Sequence, residues 1–128
     1  MAEAIFKQMV DGKMEVYSSG IRAKNGKKPS EKTVNVCLSH GIDISNHTAT
    51  FFKDSNIEDM DLVLTLEESH KELVEVYYPN LKVCTIRQYI KEYPRDINDP
   101  VGQSYEVYDA CFKEIRRCLE KVVLRISD

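Results

Sequence analysis

The chain has 128 residues, of which 42% are hydrophobic and 30% are charged, and its formal net charge at pH 7 is −3. This length and composition can supply one hydrophobic core and a charged surface to cover it, so we expect a single domain over residues 1–128. The slight acidity argues against nucleic acid or an anionic membrane as the main partner, and the lack of a long apolar run or a signal peptide predicts a cytoplasmic protein.

The first predicted element is a helix over Ala2–Val10. A helix start usually offers a Ser, Thr, Asp or Asn cap, or follows a strand that leads into it. Neither feature precedes Ala2, so we expect that the strand and loop which normally feed this helix are missing. In α/β proteins such loops hold anions and nucleophiles.

Apolar periodicity predicts alternating strands and helices along the rest of the chain. The predicted strands are Met14–Ser18, Asp61–Thr65 and Lys82–Ile86, and the further helices are Ser30–His40, Glu67–Tyr78 and Ser104–Ile126. Strands separated by helices form βαβ units, and short apolar runs suit strands buried on both faces of a parallel sheet. The predicted fold class is therefore α/β, with three αβα layers, a short parallel sheet and no first strand. Three strands are few for such a sheet.

The closing helix gives the clearest periodic signal. Its apolar residues recur at helical spacing on one stripe: Val107, Tyr108, Cys111, Ile115, Cys118, Leu119, Val122 and Ile126. This spacing predicts that the stripe packs on the core. Ser104 at its start is a typical N-cap residue.

A basic cluster lies in the loop between the first predicted strand and the second helix. It consists of Arg22, Lys24, Lys27 and Lys28 in a stretch that also contains Gly and Pro. Such a run usually forms a solvated loop. The alternative is a rim that attracts anionic substrates.

The four cysteines, Cys37, Cys84, Cys111 and Cys118, are predicted to be reduced core thiols, since they are few and scattered. One Cys-x5-Arg pattern occurs, from Cys111 to Arg117, but it lies inside the closing helix. Backbone N–H groups there are already bonded to carbonyls, so they cannot cradle a phosphate. None of the four cysteines is therefore predicted as a nucleophile, and the three dispersed histidines indicate no metal site. No cofactor is indicated.

Asp99 precedes Pro100 shortly before the closing helix. On local sequence alone, Asp-Pro is common turn chemistry, in which the carboxylate accepts a hydrogen bond from a backbone amide two residues on. The alternative is that Asp99 acts as a general acid.

Several segments, in order, resemble the low molecular weight protein tyrosine phosphatase family, which includes bacterial members that act on phosphoarginine. The segment Met1–Phe6 is similar to the one that follows the family's Cys-x5-Arg phosphate loop. The segments Val16–Gly20, His40–His47 and Asp61–Thr65 resemble its second strand, its His-Gly-Ile segment and its third strand. Most specific is Asn98–Gly102, which stands where the family places its Asp-Pro loop.

The resemblance implies hydrolysis of a phosphorylated protein through a phosphocysteine intermediate, with Asp99 as the general acid. It also implies that Ser18, Ser19 and His47 support the phosphate loop. The loop itself, with its nucleophile and arginine, would precede Met1, so this chain is expected to be truncated and inactive. Val101 and Gly102 stand where tyrosine-specific members carry aromatic residues, which leaves phosphotyrosine, phosphoarginine and other phosphorylated substrates open.

Two other interpretations are kept. The chain could be a non-catalytic remnant that binds itself or another protein, since a missing strand would expose unpaired edges that favour a homo-oligomer. A receiver-like or flavodoxin-like domain would share the layer pattern, but the sequence shows no acidic cluster after a first strand and no flavin loop.

Overall fold

The structure, a computed structural model, describes residues 1–127. It contains five α-helices in that range: α1 (Ala2–Val10), α2 (Glu31–Ser39), α3 (Glu68–Tyr77), α4 (Ile86–Tyr89) and α5 (Tyr105–Ile126). Two strands, β1 (Val63–Thr65) and β2 (Val83–Thr85), form a parallel sheet, and short 3-10 helices lie at Phe52–Asp54 and Ile57–Asp59. The predicted α/β class is confirmed, and every predicted helix lies within one residue of its predicted bounds.

The helix starts agree with local capping chemistry. The Ser30 hydroxyl accepts a hydrogen bond from the Thr33 amide at the start of α2, and the Ser104 hydroxyl accepts one from the Val107 amide at the start of α5. Each bond satisfies one of the amides that a helix start leaves without a partner. Helix α4, which periodicity did not predict, follows β2 directly through a capping box formed by Thr85 and Gln88.

The sheet separates two hydrophobic clusters. Side chains alternate across a strand, so Val63 and Val83 pack with the α3 side of the sheet, whereas Leu64 packs with the larger cluster on the other side. That larger cluster is built from α1, α2 and α5, and its fully buried members include Ile5, Val36, Phe112, Ile115, Leu119 and Val122. The three-layer arrangement is therefore confirmed.

The predicted strand Met14–Ser18 is wrong as a strand. Met14 and Val16 are half-buried while their neighbours are exposed, so the predicted alternation is present. The segment nevertheless makes no ladder within the described residues, and only Gly20, just beyond it, forms an isolated parallel bridge with Phe51. A strand needs a partner to satisfy its amides and carbonyls, and the alternating pattern cannot supply one.

The predicted buried stripe of α5 is confirmed over most of its length and differs at two residues. Val107 is 42% exposed, whereas Phe112 is buried and belongs to the centre of the larger cluster. The His40 ring, at the C-terminal end of α2, stacks on Phe112 at a centroid distance of 4.1 Å and bonds to Asp109 through Nε2 at 2.7 Å. These contacts join α2 to α5.

Across residues 1–127, none of the helices is both long and apolar enough to span a lipid bilayer.

Candidate active site

Asp99 lies in an exposed turn that leads into α5. Its Oδ1 accepts a hydrogen bond from the Val101 amide at 3.0 Å, which is the turn geometry that Asp-Pro predicts. Pro100 is buried, and its carbonyl accepts a bond from the Gln103 amide at 2.9 Å. Among residues 1–127, Oδ2 makes no hydrogen bond, so one carboxyl oxygen is held while the other has no partner. The turn chemistry expected of Asp-Pro is present, and it leaves one carboxyl oxygen of Asp99 exposed.

The turn is anchored on both sides of Asp99. Before it, the Ile97 amide donates to the Leu66 carbonyl at 2.8 Å, and the Ile97 side chain is buried in the core. After it, the Lys32 ammonium donates to the Gln103 carbonyl at 2.5 Å. These bonds connect the turn to the end of the sheet and to α2.

Two of the predicted loop-supporting residues lie together. Ser18 and His47 line a depression of about 490 Å³, whereas Ser19 and Asp99 do not line it. The wall of the depression is mostly polar and is formed by Glu3, Lys7, Tyr17, Ser18, Asn46, His47, Thr48, Thr50, Ser55 and Asn56. His47 Nδ1 lies 3.4 Å from a carboxylate oxygen of Glu3, so the imidazole lies next to α1.

The cysteines lack the surroundings that a nucleophile needs. Cys37 and Cys118 are fully buried, and Cys84 and Cys111 are half-buried. Burial raises the pKa of all four thiols above the ordinary value, and at Cys111 the negative charge of Asp99 raises the pKa further. The thiolate is the reactive form, so these environments oppose nucleophilic chemistry.

The Cys-x5-Arg pattern in α5 has a structural explanation. Arg117 donates two hydrogen bonds to the Glu92 carboxylate, at 2.7 and 3.1 Å, and two more to Glu114. Cys111 lies inside α5, where the backbone N–H groups donate to carbonyls of the same helix. Arg117 is therefore part of an ion-pair network and does not face the Cys111 thiol as a phosphate ligand would require.

That network contains a set of possible metal ligands that sequence reasoning missed. Glu92, Glu114 and Cys118 place ligand atoms within 4.8 Å of one another. Both carboxylates, however, already accept hydrogen bonds from cationic side chains, and bonds chiefly from Arg117 lower the pKa of each to about 2. The cations occupy the positions that a metal would need. Only the Glu114 to Arg117 spacing on α5 could have indicated a part of this network.

Comparisons with known proteins identify a family. The family model described as low molecular weight phosphotyrosine protein phosphatase matches residues 1–128. The probable low molecular weight protein-tyrosine-phosphatase EpsP of Ralstonia nicotianae is 29% identical over 126 residues, which cover 98% of this chain and 86% of EpsP.

Solved structures show the same relationship. The YwlE arginine phosphatase of Geobacillus stearothermophilus is similar with a TM-score of 0.91 and 26% identity, over 98% of this chain and 82% of that chain. The low molecular weight protein tyrosine phosphatase of T. tengcongensis gives a TM-score of 0.89 and 31% identity, over 97% of this chain and 88% of that chain. The chain belongs to the low molecular weight phosphotyrosine protein phosphatase family, and the resemblance read from the sequence is confirmed.

Proposed function

We propose that residues 1–128 form the scaffold and carry the proton donor of a phosphatase that acts on phosphorylated protein side chains, and that Asp99 is that donor. The observation that carries this proposal is the position of Asp99 in an anchored, exposed turn at the start of α5. One carboxyl oxygen is held by the Val101 amide, and the other is available to a leaving group.

The reaction needs a proton because the bond that breaks is a P–O or P–N bond. A nucleophile attacks phosphorus, the bond to the leaving atom breaks, and the neutral carboxyl of Asp99 transfers its proton to that atom. General acid catalysis of this kind typically contributes about 10²- to 10⁴-fold in rate. In the second half of the reaction, the resulting carboxylate can take a proton from the attacking water.

The attacking thiolate is proposed to come from outside residues 1–128. A phosphate-binding cysteine must sit among free backbone amides beside a cation. Cys37, Cys84, Cys111 and Cys118 are each buried or half-buried, with a raised pKa, and Cys111 lies within α5. We therefore expect that the 128 residues alone do not turn over a phosphate ester.

We further propose that Ser18, Ser19 and His47 support the phosphate loop when that loop is present. Ser18 and His47 lie on the wall of the depression beside α1, and the His47 imidazole contacts Glu3. Hydroxyl and imidazole groups can hold the loop backbone through hydrogen bonds.

We propose a phosphorylated protein side chain as the substrate, with phosphotyrosine and phosphoarginine both as candidates. Relatives named as tyrosine phosphatases and as arginine phosphatases are similarly close to this chain. Val101 is 69% exposed beside Asp99 and offers no ring for stacking on a phosphotyrosine, which makes phosphoarginine an equal candidate. The exposed basic residues between α1 and α2 would attract phosphorylated protein segments, and we propose that the protein acts in the cytoplasm.

The test uses two forms of the protein, the 128-residue chain and the same chain preceded by a strand and a Cys-x5-Arg loop. Both are assayed with phosphotyrosine and with phosphoarginine. We expect turnover only from the extended chain, and we expect Asp99→Asn to lower its kcat by about 10²- to 10⁴-fold. Asp61→Asn, which removes another exposed carboxylate, is the matched control and should leave kcat unchanged.

Two results would contradict the proposal. One is turnover by the 128-residue chain that is lost when one of its four cysteines is replaced by serine. The other is an extended chain that is active and insensitive to Asp99→Asn, because the proton would then come from a different group.

A further inference from the structure

We propose that Arg87 is a positioning residue for the turn that carries Asp99, and that Glu114 holds Arg87 in place. This inference rests on the proposed role of Asp99 for its catalytic meaning, but the positioning itself is a structural claim that can be tested separately. Arg87 lies in α4, outside the turn and outside the depression lined by His47.

The guanidinium of Arg87 bonds directly to the backbone that leads to Asp99. Its Nη1 donates to the Pro94 carbonyl at 3.1 Å and to the Asp96 carbonyl at 2.8 Å, and the side chain is only 16% exposed. Two residues, Ile97 and Asn98, separate Asp96 from Asp99. Since each residue spans at most about 3.6 Å, fixing the Asp96 carbonyl restricts where Asp99 can lie.

A second set of bonds also holds Asp96 and its neighbour Ile97. The Asp96 carboxylate accepts a hydrogen bond from the Glu68 amide at 2.8 Å, at the start of α3. The next residue, Ile97, donates its amide to the Leu66 carbonyl at 2.8 Å. The segment that leads to Asp99 is therefore held by hydrogen bonds to three places: the start of α3, the end of β1 and, through Arg87, α4.

Glu114 fixes the guanidinium from α5. Its Oε1 accepts from Arg87 Nη2 at 2.9 Å, and both of its oxygens accept from Arg117. Arg117 in turn binds Glu92, which lies just after α4. The planar fork of arginine can serve two carbonyls and a carboxylate at once, whereas a lysine offers a single ammonium group on a flexible stem.

The first test uses the 128-residue chain as it is and needs no activity. Arg87→Met and Arg87→Lys are compared by NMR with a control, Arg95→Met. Arg95 lies in the segment between α4 and α5, and its carboxylate contact with Glu68 is longer, at 3.7 Å. We expect exchange of the Val101 amide to accelerate at least tenfold in Arg87→Met, less in Arg87→Lys and not at all in Arg95→Met. The amide of Leu119, in the core of α5, reports on global stability.

The second test measures the leaving-group dependence of kcat in the extended chain. Displacing the proton donor lowers the rate of hydrolysis of substrates with poor leaving groups, because these need the proton, and has little effect on substrates with good leaving groups. We therefore expect Arg87→Met to lower kcat at least tenfold on phenyl phosphate and less than twofold on dinitrophenyl phosphate, the pattern expected also for Asp99→Asn. Arg95→Met should change neither rate.

The outcomes separate the two proposals. Unchanged exchange at Val101 in a folded Arg87→Met chain overturns the positioning role, whatever the activity. If Arg87→Met does not fold, the same measurements on Arg87→Lys decide. An equal loss of kcat on phenyl phosphate and dinitrophenyl phosphate would mean that Arg87 has only a structural role. A lack of leaving-group dependence in Asp99→Asn, with exchange at Val101 still sensitive to Arg87, refutes the proposed acid and leaves the positioning intact.

Discussion

Replacing Glu114 by glutamine removes one negative charge from the network that joins α4 to α5. The carboxylate accepts bonds from both Arg87 and Arg117, and bonds from Arg117, followed by the one from Arg87, lower its pKa from 4.5 to about 2. Glutamine keeps the length of the side chain but offers one neutral acceptor. Glu114→Gln therefore tests how much of the stability depends on the charge.

The magnitude follows from the change in proton affinity. A tenfold change in proton affinity corresponds to about 1.4 kcal/mol. The lowered pKa of Glu114 therefore sets an upper limit of about 3.5 kcal/mol on what its charge contributes to the free energy of unfolding. The Glu114 side chain is 30% exposed, and solvent screens partly exposed pairs, which reduces the expected contribution to about 1 kcal/mol. Because the pKa is lower in the folded state, this contribution is complete above pH 4.5 and disappears as the pH falls toward 2.

The assay is urea unfolding of the 128-residue chain and its Glu114→Gln variant at several pH values between 7 and 2.5. We expect the variant to be about 1 kcal/mol less stable at pH 7, with the difference shrinking below pH 4.5. Glu120→Gln, at an exposed position on the same helix, is the control and should cost little at any pH. A difference between Glu114→Gln and the parent chain that stays constant from pH 7 to 2.5 would refute the reasoning.

Three further predictions use the same unfolding measurements at pH 7. Phe112→Ala should cost about 3–5 kcal/mol because the ring is 1% exposed, and a loss below 1 kcal/mol would mean that the core around α5 is wrongly described. Ser30→Ala should cost about 1 kcal/mol through the lost cap of α2, whereas Ser30→Asp should retain most of it; equal losses would argue against the cap. Asp99→Asn should change stability by less than about 0.5 kcal/mol, since the residue is exposed and asparagine can still accept from the Val101 amide; a large loss would give Asp99 a structural role.

The sequence located the candidate site better than it described its surroundings. Asp99 could be singled out because Asp-Pro is a local turn signal and the segments around it resemble a family in the same order. Ser18 and His47 came from the same resemblance, and the structure places both on one depression. Arg87 could not be found in this way, since its partners, Pro94, Asp96 and Glu114, follow no regular spacing from it.

By itself the sequence determined the four longer helices, α1, α2, α3 and α5, and their ends, because the signals lie within a few residues of each helix. Ser30 and Ser104 cap the helices that follow them, and the period of α5 was clear over 22 residues. The tertiary structure decided which extended segments pair: Met14–Ser18 has the alternation of a strand but no ladder among the described residues, whereas Val63–Thr65 pairs with Val83–Thr85. A helix satisfies its backbone hydrogen bonds internally, but a strand depends on a partner that the chain brings to it from elsewhere.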